Sequence, residues 1–359
     1  MMLFPYRYVP HQMEKMQEYI DFIFFEVWCE ASNKGSFGLD LFKPNAELHE
    51  LMESFYYGDT KGGDFFYGHV ERIYGLFGKL NPSQIEQFKQ WYQANNNLEK
   101  VCVNDPACQI ARYTEIKALH SEISEQLASF FKDLYSNDFL GLAALREKIG
   151  EIDDHYEKFM TTNKTGKCPF CGINDVKGIH HSKREAYDHY LPKALYPFNS
   201  INFRNLAPTC HECNSTYKLT KDPAHNSTGR RKAFYPYGTN DHAIEITINI
   251  EKPNIDQLTP ADIQLTYGPV GAQEEIDTWR DVYGIDERYK AKCCSNSDGK
   301  YWLTQIIDEW QDGGRTPSDF METLERQAIK NPFSESNFLK KAFLEGCERI
   351  GLFDNEGMA

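Results

Sequence analysis

What the sequence lacks narrows the field first. Its opening thirty residues have no basic start, no sustained apolar run and no small-residue cleavage site, so secretion through an N-terminal signal is not expected. The most apolar early stretch, Tyr19 to Trp28, is ten residues long and contains Asp21 and Glu26, too short and too charged to span a bilayer. Basic residues are in deficit: 39 Lys and Arg against 53 Asp and Glu leave a net charge of −14, which excludes a protein that coats nucleic acid by bulk charge. There is no internal repeat and no low-complexity tract. With 41% hydrophobic and 14% aromatic residues the composition is also far from that of a disordered chain.

A length of 359 residues allows two domains, or one with large elaborations, and a core that needs no covalent staples. The first part reads as helical. Ile116, Leu119, Ile123, Leu127, Phe130 and Leu134 recur at spacings of three and four, as do Leu142, Leu145, Ile149, Ile152, Tyr156 and Phe159. Ser136-Asn137-Asp138 supplies turn and cap chemistry between these two helices, and Asn81-Pro82 is a helix start. The polar run from Thr161 to Gly166 breaks the periodicity. Near the other end, residues 243–250 and 263–267 alternate as strands do, and helical patterns follow over 274–282, 301–310, 317–329 and 336–349. The expected organisation is a helical N-terminal domain (1–163), a distinct central module (164–232) and an α+β C-terminal region (233–359).

The central module differs in charge as well as pattern. From Lys164 to Lys232 there are twelve Lys or Arg and five Asp or Glu, a net of +7, and five of the eleven histidines. A local basic patch can serve a polyanion within an acidic molecule.

Four of the ten cysteines form two pairs, Cys168-Pro169-Phe170-Cys171 and Cys210-His211-Glu212-Cys213, separated by 38 residues. In a chain of this length, matched Cys-x-x-Cys pairs point to metal in a reducing cytoplasm rather than to disulfides, and a lone redox dithiol does not explain the second pair. Zinc takes four thiolates in a tetrahedron, and a set of four leaves no open position, so the ion would be structural. Gly172 suits the tight turn after the first pair. Such a clamp would present the intervening segment as a loop on a rigid base.

That segment contains Tyr187-Asp188-His189-Tyr190-Leu191-Pro192-Lys193, then Asn205-Leu206-Ala207-Pro208, and runs into Asn214 after the second pair. An Asp beside a His suits metal-assisted phosphodiester hydrolysis: the carboxylate binds a hard Mg²⁺ or Mn²⁺ and the imidazole takes a proton from water. The amide oxygen of Asn214 could be a second ligand.

In their order and spacing, CPFC, YDHYLPK, NLAPTC, HECN and Lys218 resemble the HNH endonucleases of the ββα-metal fold, in the subgroup clamped by a four-cysteine zinc site. The resemblance implies Cys168, Cys171, Cys210 and Cys213 as ligands of a structural zinc, Asp188 and Asn214 as ligands of a catalytic Mg²⁺ or Mn²⁺, and His189 as general base. It implies that Asn205 holds the loop that aims His189. Two positions depart from the family pattern: Asn214 stands where a histidine is common, and Lys218 lies four rather than three places after it, still on one helical face. Lys218, Lys193, Arg230 and Arg231 are the expected substrate contacts.

Other residues have simpler readings beside functional ones. His180 and His181 could line the site or bind a phosphate backbone, but an exposed pair before a strand is the simpler account. His211 is expected to be solvent-exposed or on a phosphate. Arg230-Arg231-Lys232 is either a solvated run or a nucleic-acid contact. Phe24, Phe25, Trp28, Phe65 and Phe66 read as helical core, and Cys102, Cys108, Cys293 and Cys294 as free thiols.

The fold expected is α+β, largely helical, with a central zinc-bound ββα module and a small C-terminal β segment. The function expected is metal-dependent endonucleolytic cleavage, of DNA ahead of RNA. The module followed by Tyr235-Pro236-Tyr237 and strands is similar to HNH proteins of bacterial anti-phage and restriction systems. That similarity implies an ABC-type ATPase as candidate partner, alongside self-association, with no membrane partner. The alternative is a zinc-containing nucleic-acid-binding or protein-adaptor module without catalysis.

Overall fold

The computed structural model describes residues 6–58, 60–238, 244–251 and 254–353. It is mostly helical, with three two-stranded antiparallel sheets among the described residues. One hydrophobic core runs from Tyr6 to Cys347 and takes in side chains of all three expected segments, so helices of the first and last parts wall in the middle one.

The N-terminal helices meet through aromatic rings. Helix Lys15–Phe22 continues into a wider π-type winding over Ile23–Trp28, which turns Phe24 and Trp28 inward. Phe24 stacks on Tyr92 at 4.0 Å, and the Trp28 indole donates to the Val70 carbonyl at 3.0 Å. Phe24, Trp28 and Phe66 are fully buried, with Phe25 and Phe65 packed against them, which makes these residues core. Helix Pro82–Asn96 begins as expected, with Asn81 and Gln84 capping each other's backbone amides.

Two expected helices are each broken. The first divides into Tyr113–Leu119 and Ser121–Asp133 because His120 is extended (φ −145°), and Leu119, assigned to the apolar stripe, is 63% exposed. The second divides into Ala143–Ile149 and Ile152–Asn163 at Gly150, whose φ of +74° favours glycine. A Cβ there would also meet the Gln12 side chain at 2.0 Å. In both cases the apolar phase carries across the break, so periodicity alone did not show it.

The C-terminal strands and four of the helices follow the sequence expectation, whereas helix Ile285–Cys294 is not among the expected elements. Strands Glu245–Ile250 and Ile263–Gly268 pair antiparallel, Glu245 opposite Gly268; Ala243, the first residue of the expected strand, lies outside the described residues. Helices Gln273–Tyr283, Ile285–Cys294, Gly299–Gln311, Pro317–Lys330 and Asn337–Arg349 complete the chain. No described helix is long and apolar enough to cross a membrane.

Candidate metal centre and the hairpin it supports

The two cysteine pairs converge. Their sulfurs lie within 4.8 Å of one another, all four residues are buried, and Cys168–Cys213 and Cys171–Cys210 are 3.9 and 4.0 Å apart. Zinc–sulfur bonds of about 2.3 Å at tetrahedral angles put sulfurs roughly 3.8 Å apart, so this donor set fits a metal ion such as zinc. Each pair is shaped by its backbone. The Cys168 carbonyl accepts from the Gly172 amide at 2.7 Å, Gly172 adopts a φ of +71°, and the Cys213 amide points to the Cys210 sulfur at 3.4 Å.

The C-terminal helices close around the cluster in a way the sequence did not disclose. Arg288 places a guanidinium nitrogen 3.2 Å from the Cys213 sulfur and another 2.9 Å from Asn174 Oδ1. A cation there would offset the excess negative charge of four thiolates were a divalent ion bound among them. Tyr289 donates to the Cys171 carbonyl at 2.8 Å and Trp279 to the Phe170 carbonyl at 2.6 Å. In the sequence these three are ordinary members of amphipathic helices, with no local signal of their role.

Between the cysteine pairs lies a hairpin of β1 (Tyr187–His189) and β2 (Leu206–Pro208), with Asp188 opposite Ala207 and His189 opposite Leu206. The wide helix Glu212–Lys218 follows, so the local order is strand, strand, helix. Asn205 ties the long connecting loop: its side chain accepts from the Leu191 amide at 2.7 Å and donates to the carbonyls of Leu191 and Asn199 at 3.1 and 3.2 Å. It is fully buried, and these bonds fix the chain just after His189.

Asp188 and His189 point to opposite faces of β1, as strand alternation requires. The Asp188 carboxylate turns inward to Lys218, whose Nζ is 2.9 Å from Asp188 Oδ1 and 2.8 Å from the His189 carbonyl oxygen. Burial pushes the Asp188 carboxyl up, against the pull of the Lys218 charge. Its second oxygen, Oδ2, is buried without a hydrogen-bond partner among the described residues. Asn214 sits four residues before Lys218 on the same helix and is half-buried, so it shares the helical face that meets Asp188.

The half-buried His189 bonds through Nε2 to the Ser200 carbonyl oxygen at 2.9 Å, which puts the ring proton on Nε2 and a lone pair on Nδ1. Its ring meets Tyr135 edge to face at 4.8 Å, a wall supplied by the end of the helical region. Burial above all, then the nearby Lys193 charge, lowers its pKa to about 3, so the imidazole is neutral at physiological pH.

The expected substrate contacts are placed differently from the sequence reading. Lys218 is 1% exposed and serves as an internal strut rather than a surface cation. Lys193 donates to the carbonyls of Lys132 and Tyr135 at 2.6 and 3.3 Å, capping the end of helix Ser121–Asp133. Arg230 reaches the Cys108 carbonyl at 2.6 Å, while buried Arg231 holds Asp281 at 2.7 Å and the Asp222 carbonyl at 2.6 Å. Within the basic run 230–232, Arg230 and Arg231 thus fasten segments of the chain together, while Lys232 is exposed. Cys102, Cys108, Cys293 and Cys294 are free thiols, and His211 is exposed.

Comparison with known proteins finds two partial likenesses. The chain is 33% identical over 213 residues to protein ea31 of Escherichia phage lambda, covering 57% of this chain and 62% of that protein. It is 37% identical over 65 residues to Septu protein PtuB of Bacillus thuringiensis, 17% of this chain and 24% of that protein. The chain thus spans less than two thirds of each relative's own length. No family model and no solved structure matches.

Proposed function

We propose that this protein is a metal-dependent endonuclease of the HNH type, acting on DNA, in which a structural zinc at Cys168, Cys171, Cys210 and Cys213 holds the catalytic hairpin. The observation that carries the reading is the joint setting of Asp188 and His189. One strand delivers a carboxylate with an unpartnered buried oxygen, held by Lys218 of the helix that carries Asn214, and a neutral imidazole whose tautomer is fixed by the Ser200 carbonyl. A non-catalytic adaptor has no need of that combination.

Asp188 Oδ2 is an orphaned hard oxygen donor, which fits Mg²⁺ or Mn²⁺, with the Asn214 amide as the second protein ligand. Bound there, the ion would offset negative charge on the scissile phosphate and the departing 3′ oxygen. Lys218 holds Asp188 Oδ1 and leaves Oδ2 free for that purpose. His189 accepts a proton from the attacking water at Nδ1 while the Ser200 carbonyl keeps the other nitrogen protonated. Substrate phosphate beside the ring opposes the lowering of its pKa and so raises its strength as a base. Asn205 holds the loop that carries Ser200.

The candidate role in bacterial defence rests on the family resemblance and on the short stretch shared with PtuB, and the ABC-type ATPase as partner rests on the family resemblance alone. The direct test is conversion of supercoiled plasmid by metal-depleted protein after Mg²⁺ or Mn²⁺ is restored. Nicking or linearisation that Asp188→Asn abolishes supports the reading; cleavage equal in the two proteins removes it.

A further inference from the structure

We infer that the loop Gly178–Ala186 is a second nucleic-acid contact, gripping the DNA backbone beside the cleavage site through His180 and Lys183, with Ile179 against the bases. The inference rests on the nuclease reading for its substrate and adds a surface that the family motif does not contain.

The loop is built rather than loose. At its neck Lys177 Nζ is 3.0 Å from Glu185 Oε1, and the Lys177 amide donates to the same oxygen at 3.2 Å. Arg184 is fastened to Asp153 of helix Ile152–Asn163 at 2.6 Å. The turn itself is closed by the His181 amide on the Gly178 carbonyl at 3.0 Å and by the Gly178 amide on His181 Nδ1 at 3.0 Å. Both acids at the neck are therefore matched by Lys177 and Arg184, and His181 is engaged with the backbone.

What remains at the tip is of one kind. His180, Ser182 and Lys183 are exposed, and their side chains have no partner among the described residues; Ile179 beside them is 56% exposed. An ammonium and an imidazole both donate to phosphate oxygens, the imidazole in either charge state. An isoleucine raised among such donors is the kind of side chain that wedges against base steps in a minor groove.

Position ties the loop to the chemistry. It runs directly into β1, and the Ala186 carbonyl accepts from the Thr209 amide at 3.2 Å, adding a bond to the hairpin ladder. The tip leads through residues 184–186 into the strand that carries Asp188 and His189, so the loop and the site share one continuous segment. The burial of Lys218 and Arg231, and the engagement of Lys193 and Arg230 with backbone carbonyls, add to the case, because these cations are already committed to the fold.

The test is fluorescence anisotropy of a short labelled DNA duplex with the full chain, without added divalent metal, across a series of salt concentrations. Lys183→Ala should weaken binding and lower the slope of log Kd against log salt by about 1. Ile179→Ser should weaken binding with the slope unchanged, since an apolar contact releases no counterions. The double variant His180→Ala/Lys183→Ala, checked for wild-type melting and zinc content, should bind roughly tenfold more weakly. Wild-type affinity and slope in that double variant overturn the inference, as does absence of binding by the wild type. Cleavage scored separately with Mg²⁺ keeps the two ideas apart. Active protein whose loop variants bind normally loses the loop alone, whereas loop-dependent binding without cleavage keeps the loop and loses the catalysis.

Discussion

Lys218 and Asp188 form an ion pair, 2.9 Å from Nζ to Oδ1, in which the side chains retain 1% and 3% of their exposure. Two charges removed this far from water are tolerable only together. The pair joins helix Glu212–Lys218, rooted in the second cysteine pair, to β1, which carries the candidate catalytic residues. It links the helix that follows the second cysteine pair to the hairpin.

Removing one partner therefore has a specific cost. Lys218→Met should destabilise the protein by about 3 kcal/mol or more by leaving the carboxylate buried alone, and the double variant Asp188→Asn/Lys218→Met should recover much of that loss. Urea unfolding of the four proteins measures both effects. A single-variant loss within about 0.5 kcal/mol would match a surface cation instead.

The cysteine cluster should hold about one metal ion per chain, as zinc, and keep it through chelation that strips a catalytic divalent ion. Cys171→Ser and Cys213→Ser should each lose the zinc and fall sharply in stability, since ligand binding and folding are one equilibrium at such sites. Elemental analysis alongside thermal melting checks this; a folded, zinc-free wild type would contradict it.

Acid should weaken the fold through His155. This imidazole sits between the Tyr187 hydroxyl and the Val9 carbonyl, and burial lowers its pKa to about 4. Between its ordinary value near 6.5 and about 4 the unfolded chain takes up a proton that the folded chain refuses, so the neutral-pH stability is lost as pH falls through that window. Below about 4 the contribution is flat. His189, lowered to about 3, adds a second such proton. The raised pKa of Asp188 works in the opposite sense. Denaturant midpoints at several pH values should show this slope, reduced in His155→Gln; an equal slope in that variant would reject the assignment.

Arg231→Ala should destabilise the fold, because it releases Asp281 and the Asp222 carbonyl, while leaving the salt slope of DNA binding unchanged. Parallel unfolding and anisotropy measurements separate these effects. A lower slope at full stability would return Arg231 to the nucleic-acid surface.

What the sequence disclosed follows the range of the chemistry. The cysteine pairs were legible because each is local and metal binding demands two of them, and four of the C-terminal helices because their apolar positions recur; the helix Ile285–Cys294 was not expected. Leu119 misled because the repeat continues in phase across His120, where the backbone does not. Gly150 carried a readable hint of its break, being a glycine inside a helical pattern. Lys218 was placed on the right helical face, but only the fold shows that this face looks inward to a carboxylate. The run at Arg230 and Arg231 looked like a surface because its acceptors, Asp281 and the carbonyls of Cys108 and Asp222, belong to other parts of the chain. Arg288 beside the thiolates was invisible for the same reason.

The central claim is that His189 moves a proton during phosphodiester hydrolysis. It is tested most directly by plasmid cleavage with Mg²⁺ or Mn²⁺, comparing wild type and His189→Ala at matched zinc content and matched DNA affinity. The account predicts metal-dependent nicking or cutting by the wild type and a loss of at least about a hundredfold in the variant. Equal rates in the two proteins would contradict it.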